Sequence, residues 1–409
     1  MKRTILANLT ITTAAVFVLL PATSLAVPLL TSGMRTQQSA GAGQTQSRGG
    51  GAVMHNPANL LRTSGIRAVA EFTLLNLSHT YTPAEEKFPI TEVKTTQPPV
   101  AAGGSMKPGN FAMGFMFVPL GSGSELEIEK VPMQVGDSLS VMDIAVKSTL
   151  GYEAGIGAAW GLRGFSLGFS LINTFKRETL RAEKDGSELL NTEYEGSFFR
   201  PLIGTRMALT RNFILALTYR PSQVRKYTGT TLYAGTELDK LPVEYAPETI
   251  GTGITGHTKI GSFFLDGQYE KHAAGRTVKR GAVPTKVEET DLIDAWQVSL
   301  GSRLRPGLTG HSIVLAAGYA TGSMGDGEIY QNDAGYDMIG VIGGGTFGDF
   351  EAISRRTLAA GWTRSWKSVD LNAMGQHMIG RRIVPYDSAG EGLYELETWS
   401  LGVGMDYKL

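Results

Sequence analysis

The sequence predicts an all-β protein: a transmembrane antiparallel β-barrel of about 14 strands with an N-terminal plug in its lumen. Three observations carry this expectation. Apolar and polar residues alternate in runs far longer than a soluble strand, the candidate strands are even in number, and the connections between them alternate between short and long. Residues 141–161 illustrate the first. One set reads Met142, Ile144, Val146, Leu150, Tyr152, Ile156 and Trp160, and the interleaved set Asp143, Lys147, Thr149, Gly151, Glu153, Gly155 and Gly157. In a strand these sets point to opposite sides. The alternation spans some twenty residues, against about 5–6 for an ordinary strand. One greasy side and one polar or tiny side describes a wall with lipid outside and a lumen inside, and a sheet in hydrocarbon must close on itself to pair its edges.

Composition narrows the function classes. The 38 basic and 38 acidic side chains cancel, so no polyelectrolyte signature for nucleic acid exists. Cysteine is absent, which excludes disulfide scaffolds, thiolate zinc sites and cysteine nucleophiles. Glycine fills 52 of 409 positions, well above the usual ~7%.

Along the chain, Lys2 and Arg3 precede an apolar stretch to Leu20. Pro21 breaks it, and Ser24-Leu25-Ala26 places small residues at the −3 and −1 positions of a cleavage site. Residues 1–26 therefore read as a secretory signal peptide, with an apolar core shorter than the ~20 residues of a spanning helix. Residues 27–64 do not alternate. Glycines around Gly41 and Gly49 suit backbone passing close to a wall, Asn56-Pro57 a tight turn, and Leu60-Leu61 a small apolar anchor. The same stretch also reads as a flexible tail. Residues 65–409 form the barrel, with strands near 65–79, 93–104, 109–119, 140–160, 165–179, 193–209, 213–228, 246–255, 260–271, 290–304, 311–321, 350–364, 369–382 and 394–409. Short turns fall near 105–108, 161–164, 210–212, 256–259, 305–310 and 365–368, with longer loops between them, the arrangement of outer-membrane barrels. Trp160, Trp362 and Trp366 lie beside short turns and Trp296 near a long-loop end, as in an interfacial girdle.

Three stretches resemble the FadL family of outer-membrane channels for long-chain fatty acids and other hydrophobic compounds. The first runs from Ser39-Ala40-Gly41-Ala42-Gly43 through Gly49-Gly50-Gly51-Ala52 to Asn56-Pro57-Ala58, similar to the family's N-terminal hatch with its Asn-Pro-Ala signature. The second joins Pro201-Leu202-Ile203-Gly204 to Leu215-Ala216-Leu217-Thr218-Tyr219-Arg220. The third is Leu241-Pro242, then Glu248-Thr249-Ile250-Gly251 and Phe264-Leu265-Asp266-Gly267-Gln268-Tyr269. The chain departs from the family by ending in Leu409 rather than Phe and by a short segment at 180–192.

The resemblance implies passive uptake: capture of a hydrophobic small molecule on external loops, transfer to a lumenal pocket, and release sideways through a gap opened by a kink in the third strand. Asn56, Pro57, Ala58 and Leu60 would belong to the hatch. Gly114, with Pro119 ending the third strand, would permit the kink or merely relieve crowding. Leu232, Tyr233, Leu238, Leu241 and Val243 in one loop, and Leu126, Ile128, Val131 and Met133 in another, would capture ligand. Lys147, Arg220 and Arg303 fall on inward registers, where they would meet a carboxylate ligand or pair with Asp143, Glu153 or Asp266. The protein is expected in the outer membrane of a Gram-negative cell, in contact with lipid and lipopolysaccharide, as a monomer without cofactor, metal or nucleic acid.

Other signals recede. Gly251–Gly256 and Gly343–Gly348 match GxGxxG, but neither opens a helix after a strand in a βαβ unit. The six histidines show no helical metal spacing. His79, His272 and His377 near the outer rim leave open a barrel hydrolase, and the alternation alone also suits a general diffusion porin or a secretion or assembly accessory.

Overall fold

Wherever the sequence alternates, the backbone is extended and the apolar set faces out. Ile156, Leu358 and Leu401 are 65%, 62% and 62% exposed, while the inward Ser170, Ser299 and Thr363 are buried. Exposed apolar surface on this scale has no place in water; it is the lipid-facing band of a barrel. The computed structural model describes residues 34–83, 91–97, 100–135, 138–233, 235–238, 243–271, 294–307, 310–322, 353–384 and 392–409. The leader 1–26 lies outside them.

The wall is a closed antiparallel barrel of 14 strands. They are β1 (Gly65–Pro83), β2 in two pieces (Thr91–Gln97 and Val100–Lys107), β3 (Phe111–Val135), β4 (Ser138–Leu162), β5 (Phe165–Lys184), β6 (Ser187–Ala208), β7 (Phe213–Arg220), β8 (Glu248–His257), β9 (Gly261–Lys271), β10 (Ala295–Leu304), β11 (His311–Ala320), β12 (Ser354–Ser365), β13 (Val369–Val384) and β14 (Gly392–Lys408). Each pairs with its neighbours in sequence. β1 closes the ring on β14, from Arg67↔Lys408 to Pro83↔Gly392, so neither terminal strand keeps a free edge.

Two stretches expected as loops are strand, and the seventh strand, expected to 228, ends at Arg220. β3 does not end at Pro119 but runs 25 residues to Val135, paired with an equally long β4. Leu126, Ile128, Val131 and Met133 therefore lie on a strand and not in a loop, opposite Lys147, Ala145, Met142 and Ser140. Glu125, Glu127 and Glu129 interleave with them, a period-two pattern whose charges disguise it as loop. Likewise the segment 180–192 is not a loop. β5 and β6 meet at Asp185-Gly186, with φ of 53° and 72°, between the paired Lys184 and Ser187. This is the two-residue hairpin turn that demands positive φ at both centres, which Asp-Gly tolerates.

Past β7, Gln223–Lys226 pairs with Val243–Ala246, and Thr228–Tyr233 pairs with β6 and with Thr236–Leu238. Aromatic residues mark both rims. At the short-turn end Trp362 donates to His311 Nδ1 (3.2 Å). Toward the long-loop end Tyr269 and Trp296 lie 4.4 Å apart, and Phe117, Tyr152 and Phe175 form an outer ladder spaced 5.4 and 5.3 Å. Rings with one apolar and one polar end suit these two interfaces.

Ile156→Arg, on the lipid face midway along β4, is expected to cost about 2–4 kcal/mol of folding stability in bilayers, and Leu162→Arg at the strand end about 0–1 kcal/mol. Urea titration in vesicles, read by the heat-modifiable electrophoretic shift of folded barrel, measures both.

Candidate functional site

Residues 34–62 form short turns of helix: α1 (Met34–Gln37), α2 (Gly43–Gln46), α3 (Gly51–His55) and a 3₁₀ stretch, Pro57–Arg62. Pieces this short have no helical stability of their own, and they are held by the inner wall. The hinge is Asn56. Its Oδ1 accepts from the Ala58 amide (3.1 Å) and caps the 3₁₀ turn, with Pro57 at its first position. Its Nδ2 donates to the Gln44 (3.1 Å) and Thr205 (3.3 Å) carbonyls. The turn fits a notch made by Gly168 and Gly204, which are cross-strand partners on β5 and β6. A Cβ at Gly168 would lie 2.4 Å from the Ala58 nitrogen, and one at Gly204 2.1 Å from Asn56 Oδ1. Other wall glycines serve the same end: a Cβ at Gly155, Gly251 or Gly361 would lie 2.8, 2.5 or 2.5 Å from the Met54, Gln44 or Gln38 side chain, and one at Gly318 2.9 Å from the Ala40 carbonyl.

The segment has two faces. One is polar. The Thr45 amide (3.0 Å) and hydroxyl (2.6 Å) donate to the buried Asp266 of β9, satisfying a carboxylate that burial would otherwise penalise. Thr218 donates to Gln44 (2.8 Å), Ser299 to the Ala40 carbonyl (2.7 Å), and Gln38 to the Ala373 carbonyl (3.0 Å). The other face is apolar. Ala52, Val53, Met54 and Leu60 form one buried cluster with Ala112, Met116 and Val118 of β3, Ala159 of β4, Ile172 of β5 and Leu202 of β6.

This apolar cluster backs onto an incomplete seam. The β2–β3 ladder covers only Met106↔Met113 to Ala102↔Phe117. Above it, Thr91–Gln97 pairs with β1, and among the described residues no ladder joins it to β3. On its other side β3 shifts register against β4 between Pro119 and Gly121, and again between Ser122 and Glu125. Pro119 has no N–H to donate, nor have Pro98 and Pro99, which lie outside the described residues. The wall is thus thinly bonded behind this apolar inner surface, as it also is between β6 and β7, where the ladder covers only Ile203↔Tyr219 to Ala208↔Ile214.

Toward the long-loop end the lumen carries an aromatic group. Tyr227 meets Tyr194 (4.9 Å) and Phe198 (5.1 Å) edge to face. Lys176 Nζ stands 5.8 and 5.9 Å from the Tyr194 and Tyr227 rings, within cation–π range, and 3.2 Å from Glu178. Glu178 also accepts from the Tyr194 hydroxyl (2.5 Å). Gly196 makes room, since a Cβ there would lie 2.4 Å from the Phe198 ring.

Of the residues singled out from sequence, Asn56, Pro57, Ala58 and Leu60 are gathered at the wall–plug contact, all buried. Gly114 joins them: its position for a Cβ is 2.7 Å from Leu60 Cδ2, and its pairing with Ser105 and Gly157 is regular, the irregularity beginning at Pro119. Arg220 Nη2 donates to the Met54 carbonyl (2.8 Å), fastening α3. Arg303 contacts Ser312 at 3.5 Å. Asp266, offered as a partner for these cations, is instead bound by Thr45. Lys147 is described in backbone only, paired with Leu126 and Leu180. Leu232 is exposed. Tyr233, Leu238 and Val243 lie on the short strands beyond β7 and β8, and Leu241 lies outside the described residues. The Tyr194–Phe198–Tyr227 group escaped sequence reading; the period-two spacing of Tyr194, Gly196 and Phe198 was its only local signal.

Solved structures share this architecture. A FadL homologue from Pseudomonas aeruginosa aligns over 94% of this chain and 99% of its own, at TM-score 0.66 and 10% identity. The toluene transporter TodX of Pseudomonas putida aligns over 94% and 99% (TM-score 0.63, 12% identity). The toluene transporter TbuX of Ralstonia pickettii aligns over 93% and 99% (TM-score 0.59, 11% identity). The chain therefore has the FadL-type barrel fold. No protein-family model and no curated protein sequence matches it.

Gly168→Val is expected to unseat the Asn56-Pro57-Ala58 turn without opening the ladder. Hydrogen exchange should rise at least tenfold in residues 51–62 while β5 and β6 stay protected. Asn56→Ala removes the cap and should cost about 1 kcal/mol, read as a lowered thermal midpoint.

Proposed function

We propose that the protein is an outer-membrane channel for passive uptake of hydrophobic small molecules, in the class of long-chain fatty acids or aromatic hydrocarbons. Exported through its N-terminal leader, it works as a monomer in contact with lipid and lipopolysaccharide, and it performs no catalysis. Ligand meets the long-loop end, where Leu232 is exposed and Tyr227 packs on Tyr194 and Phe198; Leu232, Tyr233, Leu238, Leu241 and Val243 are the capture residues proposed from the sequence. It descends along the apolar face of residues 51–60, past Ile172 and Leu202, and leaves sideways between β2 and β3 into the membrane.

The observation that carries this reading is the coincidence of the apolar cluster with the seam where the β2–β3 ladder stops at Phe117. A route for a greasy solute needs dry walls and an exit that breaks few backbone hydrogen bonds, and both occur together there. The toluene transporters that share the fold support the substrate class.

The chain has no cysteine, so a stapled seam gives a clean test. In Val100→Cys/Pro119→Cys, a short thiol-reactive bis-methanethiosulfonate cross-linker, which forms a disulfide to each cysteine as sulfinate leaves, should cut uptake of labelled toluene or oleate at least tenfold into cells expressing the protein. Reduction of those disulfides should restore uptake. Undiminished uptake with the staple in place would rule out lateral release.

A further inference from the structure

The short-turn end of the lumen holds more cations than its carboxylates can serve. Arg35, Arg48 and Arg62 come from the N-terminal segment, Arg206 from β6 and Arg303 from β10. The acids nearby are largely committed, with Asp406 Oδ1 alone of the carboxylate oxygens named here buried without a hydrogen-bond partner. Asp370 is shared by Lys408 (2.7 Å), Arg67 (3.2 Å) and Arg35 (3.9 Å), and Asp406 pairs with Arg67 (2.8 Å). Glu71 accepts from the Met34 amide (2.8 Å), and Asp266 is held by Thr45. Among the described residues, Arg48, Arg62 and Arg303 make no ion pair.

Arg303 is the sharpest case. It is 8% exposed, its Nη2 is buried with no hydrogen-bond partner, and Nη1 has only the long contact to Ser312 (3.5 Å). Arg62 donates to the Thr45 carbonyl, a neutral acceptor. Arg48 lines a small pocket open to solvent, with Arg35, Thr36 and Ser47 on its wall; Glu71 and Asp406 also line it. The mutual repulsion is felt. Burial and the Arg206 guanidinium push Arg62 down to about 9, and Arg62 in turn holds Arg48 well below the ordinary guanidinium value. Buried like charges without a counter-charge are costly, whereas an oxyanion between guanidinium forks makes strong, charge-assisted hydrogen bonds.

We propose that Arg48, Arg62 and Arg303 form a binding site for a small oxyanion, either inorganic phosphate or sulfate or the carboxylate head of an amphiphile, bridging the N-terminal segment to β10 at the short-turn end. As a site for free phosphate or sulfate it does not depend on what the channel carries; as a site for an amphiphile's head it rests on the uptake reading above.

The test uses the full chain purified in neutral detergent and dialysed into a chloride buffer. Phosphate, sulfate and octanoate are titrated at constant ionic strength while thermal unfolding is followed. A ligand bound to the folded state raises the midpoint progressively with concentration. Wild type should show that rise, and Arg48→Gln and Arg303→Gln should each need at least tenfold more ligand for the same shift. Arg48→Gln leaves every wall strand intact, so it separates loss of the site from loss of the fold. A response to phosphate or sulfate identifies a free oxyanion; a response to octanoate alone, lost in Arg48→Gln, identifies an amphiphile's head. No rise in wild type, an equal rise with added chloride, or unchanged titrations in both variants would overturn the proposal.

Discussion

A strand in hydrocarbon has no water to satisfy its backbone, so every N–H and C=O must find a partner on a neighbouring strand. That constraint fixes the rest of the molecule. It requires β1 to meet β14 along its whole length, and it sorts each strand into a lipid face and a lumenal face. It also makes any gap in the ladder costly enough to require a reason. One interruption on the β2 side of β3 falls beside prolines that cannot donate, and the inner surface behind it is the apolar cluster around Val53, Met116 and Val118.

The N-terminal segment follows from the same economy. Its helices are too short to persist alone, so wall and segment must supply each other's missing contacts. Where the wall is polar, Asp266, Thr218 and Ser299 bind the segment's backbone and amides; where it is apolar, the segment presents Val53, Met54 and Leu60. Breaking the polar side exposes a buried carboxylate. Separating the apolar side frees only backbone carbonyls, those of Met54 and Leu61 that Arg220 and Lys107 hold, and an apolar ligand replaces the lost contacts. The segment is therefore held more firmly on one side than on the other.

Much of this architecture was legible in the sequence because alternation is a local signal. The strand number and the outward Leu and Trp positions follow from residues two apart. The Asn56-Pro57-Ala58 turn was equally visible, since its cap and proline are adjacent. Local reading failed where charge masked periodicity, as at Glu125–Glu129, and where a two-residue Asp185-Gly186 turn was absorbed into an imagined loop. It had no access to features set by register. That Gly168 faces Gly204 across a ladder, or that Tyr227 folds back between Tyr194 and Phe198, depends on pairings dozens of residues apart. The arginine cluster is the extreme case, with members drawn from the N-terminal segment and from two distant strands.

The central claim is that residues 34–62 close the lumen of a lipid-embedded barrel. Single-channel recording of the full chain in planar bilayers tests it most directly. The account predicts a protein that inserts yet passes almost no steady current, with openings brief and rare. Large, steady ohmic pores would contradict it and mark the protein as an open porin.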